Sequence, residues 1–261
     1  MADATPDASS NFGTLALVLT LAVAVLGLVG FYVLQQRSNA LSNQSALGMA
    51  ASQKKRNTIV LTGPMGAGKT ALYTQLKYKK QQPTQTSMAV NASEVTVDST
   101  RAFLVDVPGH QKFLFDRDAQ LAGARGVVFV VDSVAVADNV RETAEQLYEV
   151  LANSKVQELE TPVLVVCNKQ DEMAALTNTR VRKLLEDEID NLRGSRQAAL
   201  DALGDTAEDD ARAGDFLGYD GKKFSFDDIQ NDVQFNECVL VQGHDLGGVT
   251  YVESWIGEAL S

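Results

Sequence analysis

Three short motifs carry residue types that could handle a phosphorylated ligand. The first is 63-GPMGAGKT-70, which matches G-x-x-x-x-G-K-[ST] in full through Gly63, Gly68, Lys69 and Thr70. It lies between the β-branched run 58-TIVLT-62 and the helical pattern of 71-ALYTQLKYKK-80. In a strand–loop–helix setting, successive backbone N–H groups turn inward and form an anion nest, and the helix N-terminus adds the positive end of its dipole. Pro64, Met65, Gly66, Ala67 and Ala71 belong to the same cradle. Gly66 and Gly68 allow close backbone approach. Lys69 would reach the β- and γ-phosphates, and the Thr70 hydroxyl would bind Mg²⁺.

The second motif, 106-DVPGH-110, ends the apolar run 103-FLVDV-107. A carboxylate at a neighbouring strand tip, Asp106, can hold a water of the Mg²⁺ shell. The Gly109 N–H can bond a γ-phosphate oxygen, so this loop can sense whether that phosphate is present. His110 stands where an attacking water could be oriented, which makes it the candidate catalytic residue. The third motif, 168-NKQD-171, follows 163-VLVVC-167. The Asp171 carboxylate can accept from N1–H and the 2-amino group of guanine. Adenine has no matching pair of donors and would leave the carboxylate unpaired. Asn168 would tie this loop to the first motif, and the Lys169 stem would cover one face of the base. The ligand expected is therefore GTP with Mg²⁺.

Two further assignments follow from position in the chain. A switch threonine that closes over Mg²⁺ and the γ-phosphate belongs in 83-PTQTSM-88. Thr86 is the first choice and Thr84 the second. A last base-contacting loop belongs in 236-NECVLVQG-243, where the N–H groups of Cys238, Val239 and Leu240 could reach the guanine O6.

These loops need a scaffold that brings strand ends together. From Asn57 onward, apolar strands (58–62, 88–97, 101–107, 126–132, 163–168 and 234–241) alternate with helices that start near Lys69, Gln111, Ala137, Thr179 and Gly247. Nearly all-apolar strands are expected where helices cover both faces of a sheet. The alternation predicts an α/β fold with a doubly wound, mostly parallel sheet. Residues 186–224 are acidic with scattered glycines and read as an exposed insertion, its first half extending a helix.

Ahead of this domain, residues 14–34 form an uncharged apolar run, roughly 30 Å long as a helix, enough to cross a hydrocarbon core. The preceding segment is acidic, which fits a retained anchor better than a cleaved signal peptide. Arg37 and 54-KKR-56 follow the run, and the basic bias places the C-terminal side in the cytoplasm. The expected organisation is a short N-terminus (1–13) across the membrane, a transmembrane helix (14–34), a linker (35–56) and a cytosolic domain (57–261). The 261 residues carry a net charge of -11, which argues against nucleic acid as a direct partner. Cys167 and Cys238 lie in apolar runs and read as reduced and buried.

The motifs DVPGH, TQTS and NKQD behind a P-loop and an N-terminal anchor resemble the beta subunits of the signal recognition particle receptor. The resemblance runs from the anchor to 251-YVESWIGEAL-260. It implies a Ras-like GTPase domain at the endoplasmic reticulum membrane that anchors the receptor's alpha subunit. Binding would run through the N-terminal domain of alpha and the switch regions, here Thr84 to Met88 and Asp106 to Asp118. A ribosome is a further partner that this setting allows. The resemblance carries over onto Gly63, Gly68, Lys69, Thr70, Asp106, Gly109, His110, Asn168, Lys169 and Asp171. It fails at Val239 to Val241, where many members have Ser-Ala-Lys. The competing reading is a self-standing Arf-like GTPase on an internal membrane. Residue 2 is Ala rather than a myristoylatable glycine, and a full span follows, which disfavours it.

Overall fold

A computed structural model describes residues 57–80, 84, 87–97, 100–203, 217–219, 221–240 and 247–261. The expected membrane span, its flanks and Thr86 lie outside the described residues. Among the described residues no helix is long and apolar enough to cross a membrane.

The described domain is a six-stranded sheet in the order β2-β3-β1-β4-β5-β6. Its strands are β1 (Thr58–Thr62), β2 (Asn91–Val97), β3 (Thr100–Asp106), β4 (Ala124–Asp132), β5 (Val163–Asn168) and β6 (Val233–Glu237). Four neighbouring pairs are parallel, and only β2 runs antiparallel to β3. The helices are α1 (Lys69–Tyr78), α2 (Leu114–Leu121), α3 (Val140–Leu151), α4 (Ser154–Glu158), α5 (Asn178–Leu203) and α6 (Gly247–Leu260).

Alternation along the strands explains why they read as continuous apolar runs. In β4, Val127, Phe129 and Val131 join the core with Leu147, Tyr148 and Leu185, on the side of α3 and α5. Val128 and Val130 face the opposite core, with Leu72 and Leu76 of α1 and Trp255 and Ile256 of α6. Both faces are covered, so no strand position in the middle of the sheet can be polar without a partner.

Register decides what the sheet presents at one edge. Leu61 of β1 is opposite Asp106 of β3, Thr62 is opposite Phe129 of β4, and Asp132 is opposite Asn168 of β5. The C-terminal ends of the parallel strands therefore emerge together, where open α/β sheets build their ligand sites. The antiparallel β2 pairs Asn91 with Asp106, which brings the chain just before β2 to the same edge.

Several boundaries differ from expectation. Strand β2 begins at Asn91 rather than Met88. Strand β6 ends at Glu237 rather than Val241. After one more ladder bond, from Cys238 N–H to the Cys167 carbonyl at 2.9 Å, the Cys238 carbonyl turns to accept the Gln170 N–H at 3.3 Å. The helix expected near Gln111 opens with a 3₁₀ turn, Gln111–Phe113, and α3 begins at Val140 after a series of turns.

The acidic insertion is also less exposed than expected. Helix α5 runs 26 residues to Leu203, and Leu217, Phe224 and Phe226 are buried against it and the α3-side core. Arg193 of α5 is buried and donates to the carbonyls of Tyr219 (2.5 Å) and Lys222 (3.1 Å). A few apolar anchors within the acidic stretch thus dock its end on the helix that begins it. Residues 204–216 lie outside the described residues.

Candidate functional site

The P-loop lies between β1 and α1. Gly63, Gly66 and Gly68 all have positive φ, at 130°, 75° and 101°. Two of these positions also exclude a side chain on space. A Cβ on Gly63 would lie 2.3 Å from the Val130 carbonyl oxygen, and one on Gly68 would lie 2.3 Å from Asn168 Nδ2. The loop is thus pressed against β4 on one side and the NKQD loop on the other. Ala67 is buried, Pro64 and Gly68 are partly so, and Met65 and Gly66 are open to solvent. Lys69 is almost entirely buried and curls back to donate to the carbonyls of Gly63 (2.9 Å) and Pro64 (2.6 Å). Burial lowers its pKa to about 8, although the Asp106 carboxylate acts in the opposite direction. Burial disfavours the charged form of this ammonium, so the position is suited to an incoming polyanion.

A cluster of hydroxyl and carboxylate oxygens adjoins it. Thr70 donates to Asp106 Oδ2 at 3.0 Å and lies 2.8 Å from the Ser87 hydroxyl. Asn91 Nδ2 also donates to Asp106 Oδ2, at 3.2 Å. Asp106 is fully buried, and its other oxygen, Oδ1, has no partner among the described residues. Burial raises its pKa, opposed by the hydrogen bonds from Asn91 and Thr70 and by the charge of Lys69. Hard oxygen donors with an unsatisfied buried carboxylate oxygen fit Mg²⁺, which binds through one or two such groups and keeps several waters. Ser87 and Asn91 were not singled out as site residues from the sequence. Ser87 could have been found as the last residue of TQTS, but nothing in the sequence marks Asn91. Thr84 lines the cleft above the P-loop together with Ser87, Pro108, Gly109 and His110.

The DVPGH loop packs directly on the P-loop. A Cβ on Gly109 would meet the Gly63 carbonyl oxygen at 2.3 Å, the Pro64 carbonyl carbon at 2.8 Å and Met65 N at 2.9 Å. Only glycine fits without moving backbone. His110 is exposed, and its Nδ1 accepts the Lys112 N–H at 3.1 Å, capping the 3₁₀ turn.

The NKQD loop closes the site from the β5 end. Asn168 is buried and donates from Nδ2 to the Ala67 carbonyl at 2.8 Å, which links this loop to the P-loop. Lys169 has a left-handed backbone with φ 67°, and its ammonium pairs with Asp132 at 2.5 Å. Asp171 is half-buried, and its Oδ1 is buried without a partner among the described residues. One assignment near β6 needs correcting. The Cys238 N–H is already bonded to the Cys167 carbonyl, so it is not free to reach O6. Val239 and Leu240 remain, and Leu240 lies close to Gly68. Both cysteines are free and buried, and burial pushes each thiol up to about 12.

The chain was also compared with known proteins. The family model of the signal recognition particle receptor beta subunit matches residues 54–233. The signal recognition particle receptor subunit beta of Mus musculus is 32% identical over 213 residues, which cover 79% of this chain and 78% of the relative. Among solved structures, that of the mammalian SRP receptor matches with a TM-score of 0.64 and 30% identity, over 77% of this chain and 99% of the other. The SRb-GDP-Mg structure from Chaetomium thermophilum matches with a TM-score of 0.60 and 25% identity, over 78% of this chain and 97% of that one. The fold is thus that of a Ras-like GTPase, and the self-standing Arf-like reading gives way. The chain belongs to the beta subunit family of the signal recognition particle receptor.

Proposed function

We propose that this chain is a GTP-binding subunit that anchors the receptor's alpha subunit at the endoplasmic reticulum membrane and does so in a GTP-dependent way. The observation that carries the nucleotide reading is the convergence of three loops at one sheet edge, with buried Asp106 Oδ1 and Asp171 Oδ1 both lacking partners among the described residues. The P-loop N–H groups and Lys69 would hold the phosphates. Thr70, Asp106 and a hydroxyl from the 84–87 stretch would hold Mg²⁺, with Thr86 and Ser87 both candidates. Asp171 would read the base, with the Lys169 stem on its face and the Val239 and Leu240 N–H groups near O6. GTP supplies the γ-phosphate, whose presence the Gly109 N–H and the switch hydroxyl would register.

Two switch segments offer apolar side chains for docking. Met88 is 80% exposed and Phe115 is 81% exposed. Both flank the cleft residues that would sense the γ-phosphate, so a partner seated there would read the nucleotide state. The alpha subunit's N-terminal domain is the partner proposed for this face, with residues 14–34 as the single membrane span and the GTPase domain in the cytosol.

Hydrolysis is proposed to be slow. Because His110 Nδ1 accepts the Lys112 N–H, a neutral imidazole in this pose carries its proton on Nε2. It then offers a donor, not a base, to a water in the cleft. Such a histidine must break its cap before it can take a proton, which suits a subunit that keeps GTP while its partner is docked.

The test is to load the purified full-length chain in detergent with mixed nucleotides, remove the excess, and identify what stays bound. A guanine nucleotide bound one to one is expected. Retention of adenine nucleotides in preference to guanine would overturn the reading.

A further inference from the structure

Two residues outside the three motifs tie the Asn168–Asp171 loop to the sheet. Asp132 ends β4, opposite Asn168 in register. Its Oδ1 accepts the N–H groups of Val134 at 3.0 Å and Ala135 at 3.2 Å, which immobilises the carboxylate. Its Oδ2 accepts from Lys169 Nζ at 2.5 Å. Ser133 follows and is fully buried. Its Oγ accepts from Gln170 Nε2 at 2.9 Å, and its N–H donates to the Asn168 carbonyl at 3.0 Å. Its carbonyl accepts the Leu176 N–H at 2.9 Å, and the Leu176 carbonyl accepts from Gln170 Nε2 at 2.8 Å. Asn168, Lys169 and Gln170 are thus each tied to Asp132 or Ser133. Lys169 also sits at φ 67°, a left-handed conformation that is uncommon for a residue with a side chain.

We propose that Asp132 and Ser133 are positioning residues that hold the Asn168–Asp171 loop, and the Lys169 stem above all, in the shape that guanine requires. The proposal rests on the reading of this site as a guanine nucleotide site. The Lys169 side chain is 38% exposed and that of Asp132 16%, so their ion pair contributes little to stability as such. Its effect is on order. A lysine stem tethered before the ligand arrives does not lose its rotamer freedom on binding. Because the base is common to GTP and GDP, loosening the tether acts on both nucleotides alike.

The experiment measures displacement of fluorescent GDP and GTP analogues, and the preference for GTP over ITP, on the full-length chain in detergent. Asp132→Asn keeps an oxygen for the Val134 and Ala135 N–H groups and removes the charge that faces Lys169. Lys169→Met keeps the stem and removes the ammonium. Each is expected to speed release of both nucleotides by the same factor, about three- to tenfold. The double variant is expected to be no faster than either single one. Ser133→Ala, which leaves Gln170 Nε2 only the Leu176 carbonyl, is expected to lower the GTP-over-ITP preference without moving the melting temperature of the nucleotide-free chain. Additive effects in the double variant, faster release of GTP alone, or release unchanged in every variant would overturn the proposal. If the wild-type chain shows no preference for guanine over adenine nucleotides, it is the reading of the site that falls. If the wild type prefers guanine and the variants behave like it, only the tether falls.

Discussion

Asn168→Ala removes a side-chain bond that joins the phosphate loop to the base loop. Asn168 Nδ2 donates to the Ala67 carbonyl at 2.8 Å, and both residues are buried. Leaving a buried carbonyl unpaired costs about 1–3 kcal/mol, which corresponds to a factor of about five to 150 in an equilibrium constant. The nucleotide-free domain can relieve much of this by letting the two loops part and admitting water. The nucleotide-bound domain cannot, because one ligand must touch both loops. The loss therefore falls mainly on affinity, and dissociation of GTP and of GDP is expected to speed up within that range. Gly68→Ala attacks the same bond, since its Cβ would lie 2.3 Å from Asn168 Nδ2, and it adds strain at φ 101°. The two substitutions together are expected to give less than the product of their separate effects. The assay is stopped-flow displacement of a fluorescent nucleotide, with circular dichroism to check that each variant is folded. Release from folded Asn168→Ala within twofold of wild type, for both nucleotides, would refute the reasoning.

Asp171→Asn is expected to weaken GTP binding about 100-fold, because the amide NH₂ turns one of the two acceptors into a donor that faces a guanine donor. It should strengthen binding of the xanthine nucleotide, whose 2-oxo group accepts from the new NH₂, and competition titration checks both. Nucleotide binding is expected to take up a proton near pH 8. Lys69 has a lowered pKa of about 8 in the free protein, and bound phosphates would raise it. Affinity should therefore hold below that pH and fall as pH rises through it, and calorimetry in buffers of different ionisation enthalpy measures the uptake. Cys167 and Cys238, with thiols pushed up to about 12, are expected to resist alkylation at pH 8 in the folded chain and to react once it is unfolded, which mass spectrometry reads directly.

Much of this arrangement was legible in the sequence because the chemistry constrains backbone as well as side chain. Gly63, Gly66 and Gly68 announce a loop with positive φ, and each motif follows an apolar run that could only be a strand. The parallel order then brings the strand ends together. What escaped depends on contacts between distant residues of ordinary type. Asn91 reaches Asp106 only because β2 pairs with β3 in one particular register. Asp132 reads as the last residue of a strand and Ser133 as the residue after it, and nothing local says that they hold residues 168–170. The loss of the Cys238 N–H to Cys167 likewise depends on where β6 leaves the ladder. In the acidic insertion the polar composition is conspicuous, while the anchoring is done by a few residues: Leu217 and Phe224 join the α3-side core, and buried Arg193 of α5 donates to the carbonyls of Tyr219 and Lys222, 26 and 29 positions along the chain.

The γ-phosphate, through the switch segments around Met88 and Phe115, is proposed to set the affinity for the alpha subunit. The most direct measurement is a titration of alpha's N-terminal domain against the full-length chain in detergent, loaded in parallel with a non-hydrolysable GTP analogue and with GDP. Markedly tighter binding to the triphosphate form is expected. A ligand that binds two states equally shifts nothing between them, so equal affinity for the two loaded forms would contradict it.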